Sequence, residues 1–228
     1  MEQLLQAIQE GDIQLINQQL ESFLVDSEPA AQYEVAEALV HFGFVTEANQ
    51  VFEHLQFLFP EEAQIAIDRA GVLIELGEED EALDLLMAVS DEAPEYPQAL
   101  LVLADYYQMQ GLFEVAEQRI NEALQLLPNE PLLQFAKAEL LFETGRFAEA
   151  ARIYEELYAV DKKFAGTILA QRLAEVYRAG AAYESALDYY MEALEEEVTA
   201  DLLFGSGYAA FQTQKYDLAI KQLEDLKE

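Results

Sequence analysis

The chain contains no cysteine. This excludes disulfides, thiol catalysis and thiolate metal sites, and it is compatible with a reducing compartment. Basic residues are nearly missing from its first half. Residues 1–118 hold a single one, Arg69, against 25 acids, while residues 119–228 hold the other 11 basic residues and 20 acids. The formal net charge is −33 over 228 residues. A surface of that sign repels nucleic-acid phosphates and anionic lipid, so neither is expected as a partner. Long apolar runs are also lacking: none approaches the roughly 18–20 residues that span a bilayer. The start, MEQLLQAIQEGD, has no basic region of the kind that opens a signal peptide. A soluble, cytoplasmic protein is expected. Ten glycines and six prolines are too few for collagen-like or low-complexity classes.

Recognisable reaction chemistry is absent too. The two histidines, His41 and His54, have no metal-ligand spacing. The GSG at 205–207 lacks the following lysine of a phosphate loop, and its glycines fit close helix packing better. Acid runs such as EEDE (78–81) and EEE (195–197) lack the alternation and glycine of a calcium loop. With 45 acids in the chain, carboxylate pairs arise anywhere, so none marks a catalytic site. We expect no enzyme, no cofactor and no metal.

What is present is a repeat. Gly43, Gly77, Gly111 and Gly145 stand 34 residues apart, and so do Ala48, Ala82, Ala116 and Ala150. Pro60, Pro94 and Pro128 keep the same interval, as do Pro97 and Pro131. Each marker has a physical job. Glycine accepts the left-handed conformation that ends a helix and reverses the chain. Alanine lets two helices approach closely. Pro60, Pro94 and Pro128 close the second segment of each unit by lacking an N–H. Pro97 and Pro131 suit the first turn of the next helix. Between the markers, Ala99, Leu100, Leu103, Ala104 and Tyr107 recur at helical spacing, and strand-like alternation is absent. Each unit is thus two helices of about 12–14 residues that must stack on neighbours to bury their apolar faces.

The pattern resembles the tetratricopeptide repeat (TPR) family. ETGRFAEAARIYEELYAVD (143–161) and GLFEVAEQRINEALQLLP (111–128) match its turn, aromatic and alanine positions well, and FGFVTEANQVFEHLQFLFP (42–60) and LGEEDEALDLLMAVSDEAP (76–94) follow. Ala36, Ala70, Ala104 and Ala138 stand seven residues before each turn glycine. In RAGAAYESALDYYMEAL (178–194), Ala181 takes the turn slot, after a step lengthened by two residues that fit the DKKFAGT linker (161–167). TQKYDLAIKQLEDLKE (213–228) and LLQAIQEGDIQLINQQLESFL (4–24) are partial units. The resemblance implies an all-α, right-handed α-solenoid of about seven TPR helix-turn-helix units, at approximately 1–28, 29–62, 63–96, 97–130, 131–166, 167–199 and 200–228. We expect a single array, and the missing capping helix suggests a piece of a longer one.

The resemblance also implies a concave groove lined by the first helix of each unit. Ten residues before the turn slot stand Tyr33, Ile67, Leu101, Phe135, Gln171 and Phe204. Six before it stand Glu37, Gly71, Asp105, Glu139, Glu175 and Tyr208. Two or three before it stand His41, Ile74, Glu75, Gln108, Met109, Phe142, Glu143, Arg178 and Phe211. Aliphatic members of this set can equally pack between units. The carboxylates are expected to face an open groove, because burying unpaired Asp or Glu is costly. Arg172 and Arg178 can pair with Glu139, Glu143 and Glu175 or hold a ligand carboxylate. TPR domains that clamp acidic chaperone tails use Lys, Arg and Asn here, so that function is not expected. The expected function is a scaffold that binds a protein or peptide segment carrying apolar and basic residues. Self-association through an open C-terminal end, and service as an accessory region of a larger protein or regulator, are the alternatives.

Overall fold

The computed structural model describes residues 1–226. Among them are fourteen helices, in seven helix-turn-helix pairs. The pairs are α1 (Glu2–Glu10) with α2 (Ile13–Asp26), α3 (Pro29–His41) with α4 (Val45–Leu58), α5 (Ala63–Leu76) with α6 (Glu79–Ala88), and α7 (Tyr96–Met109) with α8 (Phe113–Leu126). Next come α9 (Pro131–Glu143) with α10 (Phe147–Val160), α11 (Leu169–Ala179) with α12 (Tyr183–Glu196), and α13 (Ala200–Gln212) with α14 (Tyr216–Asp225). The fold is all-α and of the expected solenoid class. It divides into two compact units, Met1–Leu126 and a second beginning at Leu127.

The turn residue of every pair is left-handed. Gly11, Gly43, Gly77, Gly111 and Gly145 have φ between 71° and 80°, and Ala181 and Gln214 hold the same slot at φ 60° and 64°. The turn also satisfies the helix end. At Gly77, for example, the amide donates to the Ile74 carbonyl, and the next amide, of Glu78, reaches back to Leu73. Pro29, Pro97 and Pro131 each sit in the first turn of a helix.

Small residues mark the packing seams. Ala36, Ala48, Ala70, Ala82, Ala104 and Ala116 are fully buried in the first unit, and Ala138, Ala150, Ala174 and Ala186 in the second. In the first unit one cluster runs from Leu4 to Val72, and another joins Ile67 and Leu73 to Leu86 and Leu103. In the second, Leu141, Tyr154 and Leu173 form one cluster, and Leu187, Tyr190 and Leu202 another. The glycines at 205 and 207 do serve close packing. A Cβ at Gly205 would run into the Tyr190 ring, and one at Gly207 would stand 3.0 Å from Leu223 Cγ.

Tyrosine hydroxyls tie helices together by donating to carboxylates. Tyr96 reaches Glu122 at 2.9 Å and Tyr106 reaches Glu79 at 2.9 Å. Tyr33 bonds Asp68, Tyr154 bonds Glu139, and Tyr158 bonds Glu192. Tyr177 donates to Glu155 at 2.5 Å.

Two local features differ from the sequence reading. The linker after α10 is not plain coil. Lys163–Phe164 (β1) and Thr167–Ile168 (β2) form a two-stranded antiparallel ladder, with Lys163 opposite Ile168 and Phe164 opposite Thr167. Ala165 (φ 48°) and Gly166 (φ 78°) make its turn, the pair of positive φ values that a two-residue hairpin of right-handed twist requires. Helix α6 spans only 10 residues. It stops before Ser90, whose hydroxyl accepts the Glu92 amide at 3.2 Å in a local turn, and Pro94 then blocks any resumption.

Candidate binding clefts

In the first unit a cleft of about 400 Å3 opens among α3, α5 and α7, with Phe52 of α4 behind it. Val40, Ile67, Val72 and Val102 supply apolar wall, while Glu37, Asp68 and Glu75 supply carboxylates. His41 and Gln98 complete the polar lining, and no Lys or Arg contributes. The cation nearest in sequence points elsewhere. Arg69 is buried and donates to Asn49 (3.2 Å), Gln56 (2.7 Å) and Glu81 (2.7 Å), on α4 and α6. One wall is pinned by polar contacts: Asp68 accepts the Tyr33 hydroxyl and, at 2.9 Å, the Gln64 amide. Burial raises the Asp68 pKa above the ordinary carboxylate value, which those two bonds partly offset, and burial together with Asp68 raises that of the Tyr33 phenol.

The other expected groove residues of this unit are distributed more widely. Tyr33 is half-buried and edge-on to Phe52, with centroids 5.9 Å apart. Glu37 and His41 are exposed, and His41 stands edge-on to Phe42. Leu101 is buried at 9% exposure, so it belongs to the packing rather than the open surface. Met109 is 73% exposed on α7. Asp105 is open to solvent yet lies among enough protein that desolvation pushes its carboxyl up to about 6.

In the second unit the carboxylate row is not open. Glu139 accepts the Tyr154 hydroxyl, and Arg172 Nε lies 3.1 Å from it. Arg172 also donates to Glu175 at 2.9 Å, and Glu175 takes a further bond from Gln171 at 2.9 Å. Burial opposes the Arg172 charge, but Glu139 and Glu175 outweigh it and hold its pKa above the ordinary value. Of the two roles expected for Arg172, the structure shows the pairing with Glu139 and Glu175, so these two carboxylates are not left free in an open groove. Phe135 is half-buried between Tyr154 and Phe164, at centroid distances of 5.8 and 5.4 Å.

A second cleft, of about 300 Å3, gathers Phe142, Glu175, Arg178, Asp201 and Phe204 around Tyr190 and Gly205. Arg178 Nε donates to the Tyr190 hydroxyl at 2.9 Å. Phe142 leans on Phe147, Phe204 is 55% exposed, and Glu143 is exposed at the end of α9. Tyr208 stands edge-on to Tyr183. Of the residues the sequence assigned to a groove, Glu37, His41, Ile67, Gly71 and Glu75 meet at one cleft, and Phe142, Glu175, Arg178 and Phe204 meet at another. The sequence missed Asp68, which lies one position beyond the periodic slot of Ile67. The available signal was the near-repeat spacing between Tyr33 and Asp68.

Among the described residues, no helix is long and apolar enough to cross a membrane, and no cluster of three or more His, Asp or Glu could hold a metal ion.

Two family models match the chain: "YpiA-like, tetratricopeptide repeats" over residues 108–162 and "Tetratricopeptide repeat" over residues 74–131. The TPR repeat-containing protein YpiA of Bacillus subtilis (strain 168) is 38% identical over 193 residues, covering 85% of this chain and 46% of that protein. The chain therefore spans just under half the length of this relative. Among solved structures, the type IV pilus biogenesis factor PilW superposes with a TM-score of 0.73 at 15% identity, over 87% of this chain and 92% of that one. The APC/C hetero-tetramer Cut9-Hcn1 gives a TM-score of 0.70 at 16% identity, over 98% of this chain and 44% of that one. At these identities the two structures speak for the fold alone.

Proposed function

We propose, from the premise that this chain belongs to the tetratricopeptide repeat family, that it is a binding scaffold whose acidic clefts take a protein or peptide segment carrying apolar and basic residues. Members of the family mediate protein–protein interactions, and the fold offers rows of first helices for that purpose. The observation that carries the finer reading is the α3–α5–α7 cleft, where aliphatic walls meet three carboxylates and no cation. Apolar anchors contribute area, and the carboxylates contribute steering and register. Micromolar affinity, about −8 kcal/mol, is ordinary for such a groove. The second cleft supports a partner of mixed character, since Arg178 faces Glu175 and Asp201 there.

The test is affinity capture from an extract of the source organism with the native protein and a Glu37→Lys/Glu75→Lys variant. The charge reversals should weaken the captured complex about tenfold and flatten its salt dependence. Unchanged capture with unchanged salt dependence would sink the reading.

A second reading has its own observation. Phe211, Tyr216 and Ile220, on α13 and α14, are 56%, 53% and 56% exposed, an apolar surface suited to self-association. Light scattering over a dilution series decides it, and a monomer at every concentration removes it.

A further inference from the structure

A glycine inside a helix weakens that helix unless something needs it. Gly205 and Gly207 are needed, because Tyr190 and Leu223 occupy the space a Cβ would take. Gly71, in the interior of α5, has no such reason. Its φ is not positive, and a Cβ there would meet nothing within 4 Å. The open space beside it is the α3–α5–α7 cleft. In the other units of the row, this slot holds Glu37, Asp105, Glu139, Glu175 and Tyr208. The one small residue of the row therefore sits where its lack of a side chain creates volume.

We propose that Gly71 keeps open a socket for a single long cationic side chain, a lysine or arginine exposed on a protein partner. The proposal rests on the acidic-groove reading and deepens it. Val40 and Val102 offer apolar surface for the methylene stem, over a floor formed by the buried Ile67 and Val72. Glu37 and Glu75 offer carboxylates for the charged end. Asp68 already accepts bonds from Tyr33 and Gln64, so it adds field rather than a free acceptor. The charge balance around the socket is complementary to a cation: residues 1–118 hold 25 acids, and their single base, Arg69, is engaged with Glu81. An uncharged side chain of the same length would shield these carboxylates from water and return nothing for it.

The experiment uses the full chain and a fluorescein-labelled, end-blocked Gly-Leu-Lys-Leu-Gly peptide, followed by anisotropy in low salt. A peptide with norleucine in place of lysine is the control. The lysine peptide should bind saturably and the norleucine peptide about tenfold more weakly. Gly71→Leu should fill the socket and weaken the lysine peptide about tenfold. Gly71→Ala should melt higher than the native protein and bind a few-fold more weakly, since one methyl favours the helix and intrudes on the cleft. The alanine variant decides the matter if the leucine variant fails to fold. Native-like affinity in a folded Gly71→Leu or Gly71→Ala protein, or no binding of the lysine peptide, overturns the socket. If Glu37→Lys/Glu75→Lys weakens binding while the Gly71 variants do not, the socket falls and the acidic groove stands. If neither change matters, both fall.

Discussion

Ala181 occupies a backbone conformation that five of the seven turns give to glycine, and replacing it by glycine should stabilise the second unit. Its φ is 60°, close to the 71° of Gly111 in the equivalent turn. A non-glycine residue there carries a penalty of about 1–2 kcal/mol from Cβ against backbone. Glycine removes that penalty but gives the unfolded chain more freedom, at about 0.4–1 kcal/mol. Ala181→Gly should therefore gain about 0.5–1 kcal/mol. The converse change, Gly111→Ala, meets open space within 4 Å, so no clash confuses it and only backbone strain remains. It should lose about the same amount. In a chain this long, such values move Tm by about 2 °C. The two units need not unfold together, so hydrogen exchange resolved by helix is the sharper assay. Amides of α11 and α12 should slow by about two- to fivefold in Ala181→Gly, and those of α7 and α8 should quicken by a similar factor in Gly111→Ala. If Ala181→Gly is neutral or destabilising, the left-handed strain assigned to this turn is wrong.

Two further changes test packing and charge. Gly205→Ala drives a methyl into the Tyr190 ring and should cost about 1–3 kcal/mol, read as a lower urea midpoint with an unchanged slope. Asp105 has its folded pKa raised to about 6 by desolvation, so the folded state binds the extra proton between the unfolded value near 4 and that pH. Stability should fall as pH rises through this window, and Asp105→Asn should remove the fall while gaining about 1 kcal/mol at neutral pH after allowance for solvent screening. A carboxyl titration followed by NMR that shows no upward shift would remove the basis for both effects.

Much of the fold was legible because each marker of the repeat reports a local physical need. A left-handed turn selects glycine, a tight helix contact selects alanine, and a helix start tolerates proline. Ala181 was legible in the turn slot even without its glycine, since the aromatic and small positions around it kept register. The hairpin at 163–168 was not legible, because two-residue strands leave no alternation to detect. The early end of α6 was written only weakly, in Ser90 and Pro94. At the site, periodicity gave the helix face but not the partners across it. Glu37 and Glu139 share a slot, yet one is exposed and the other lies against Arg172. That guanidinium is 33 residues further along, and nothing in the spacing says whether its side chain turns inward. Asp68 shows the complementary failure, since Tyr33 brings it to the cleft from one position outside the row.

The tyrosine–carboxylate bonds have a spectroscopic consequence. With 12 tyrosines and no tryptophan, the near-ultraviolet signal of this protein belongs mainly to phenols. Six of them, at 33, 96, 106, 154, 158 and 177, donate to acids, and each is held above its ordinary pKa, with Tyr177 pushed up to about 12. A bound phenol can ionise only by giving up its bond to a carboxylate and placing a second negative charge beside it. Phenolate absorbance from these six will therefore rise in alkali only as the helices they join come apart. The chain carries its own optical record of which helix contacts are still closed.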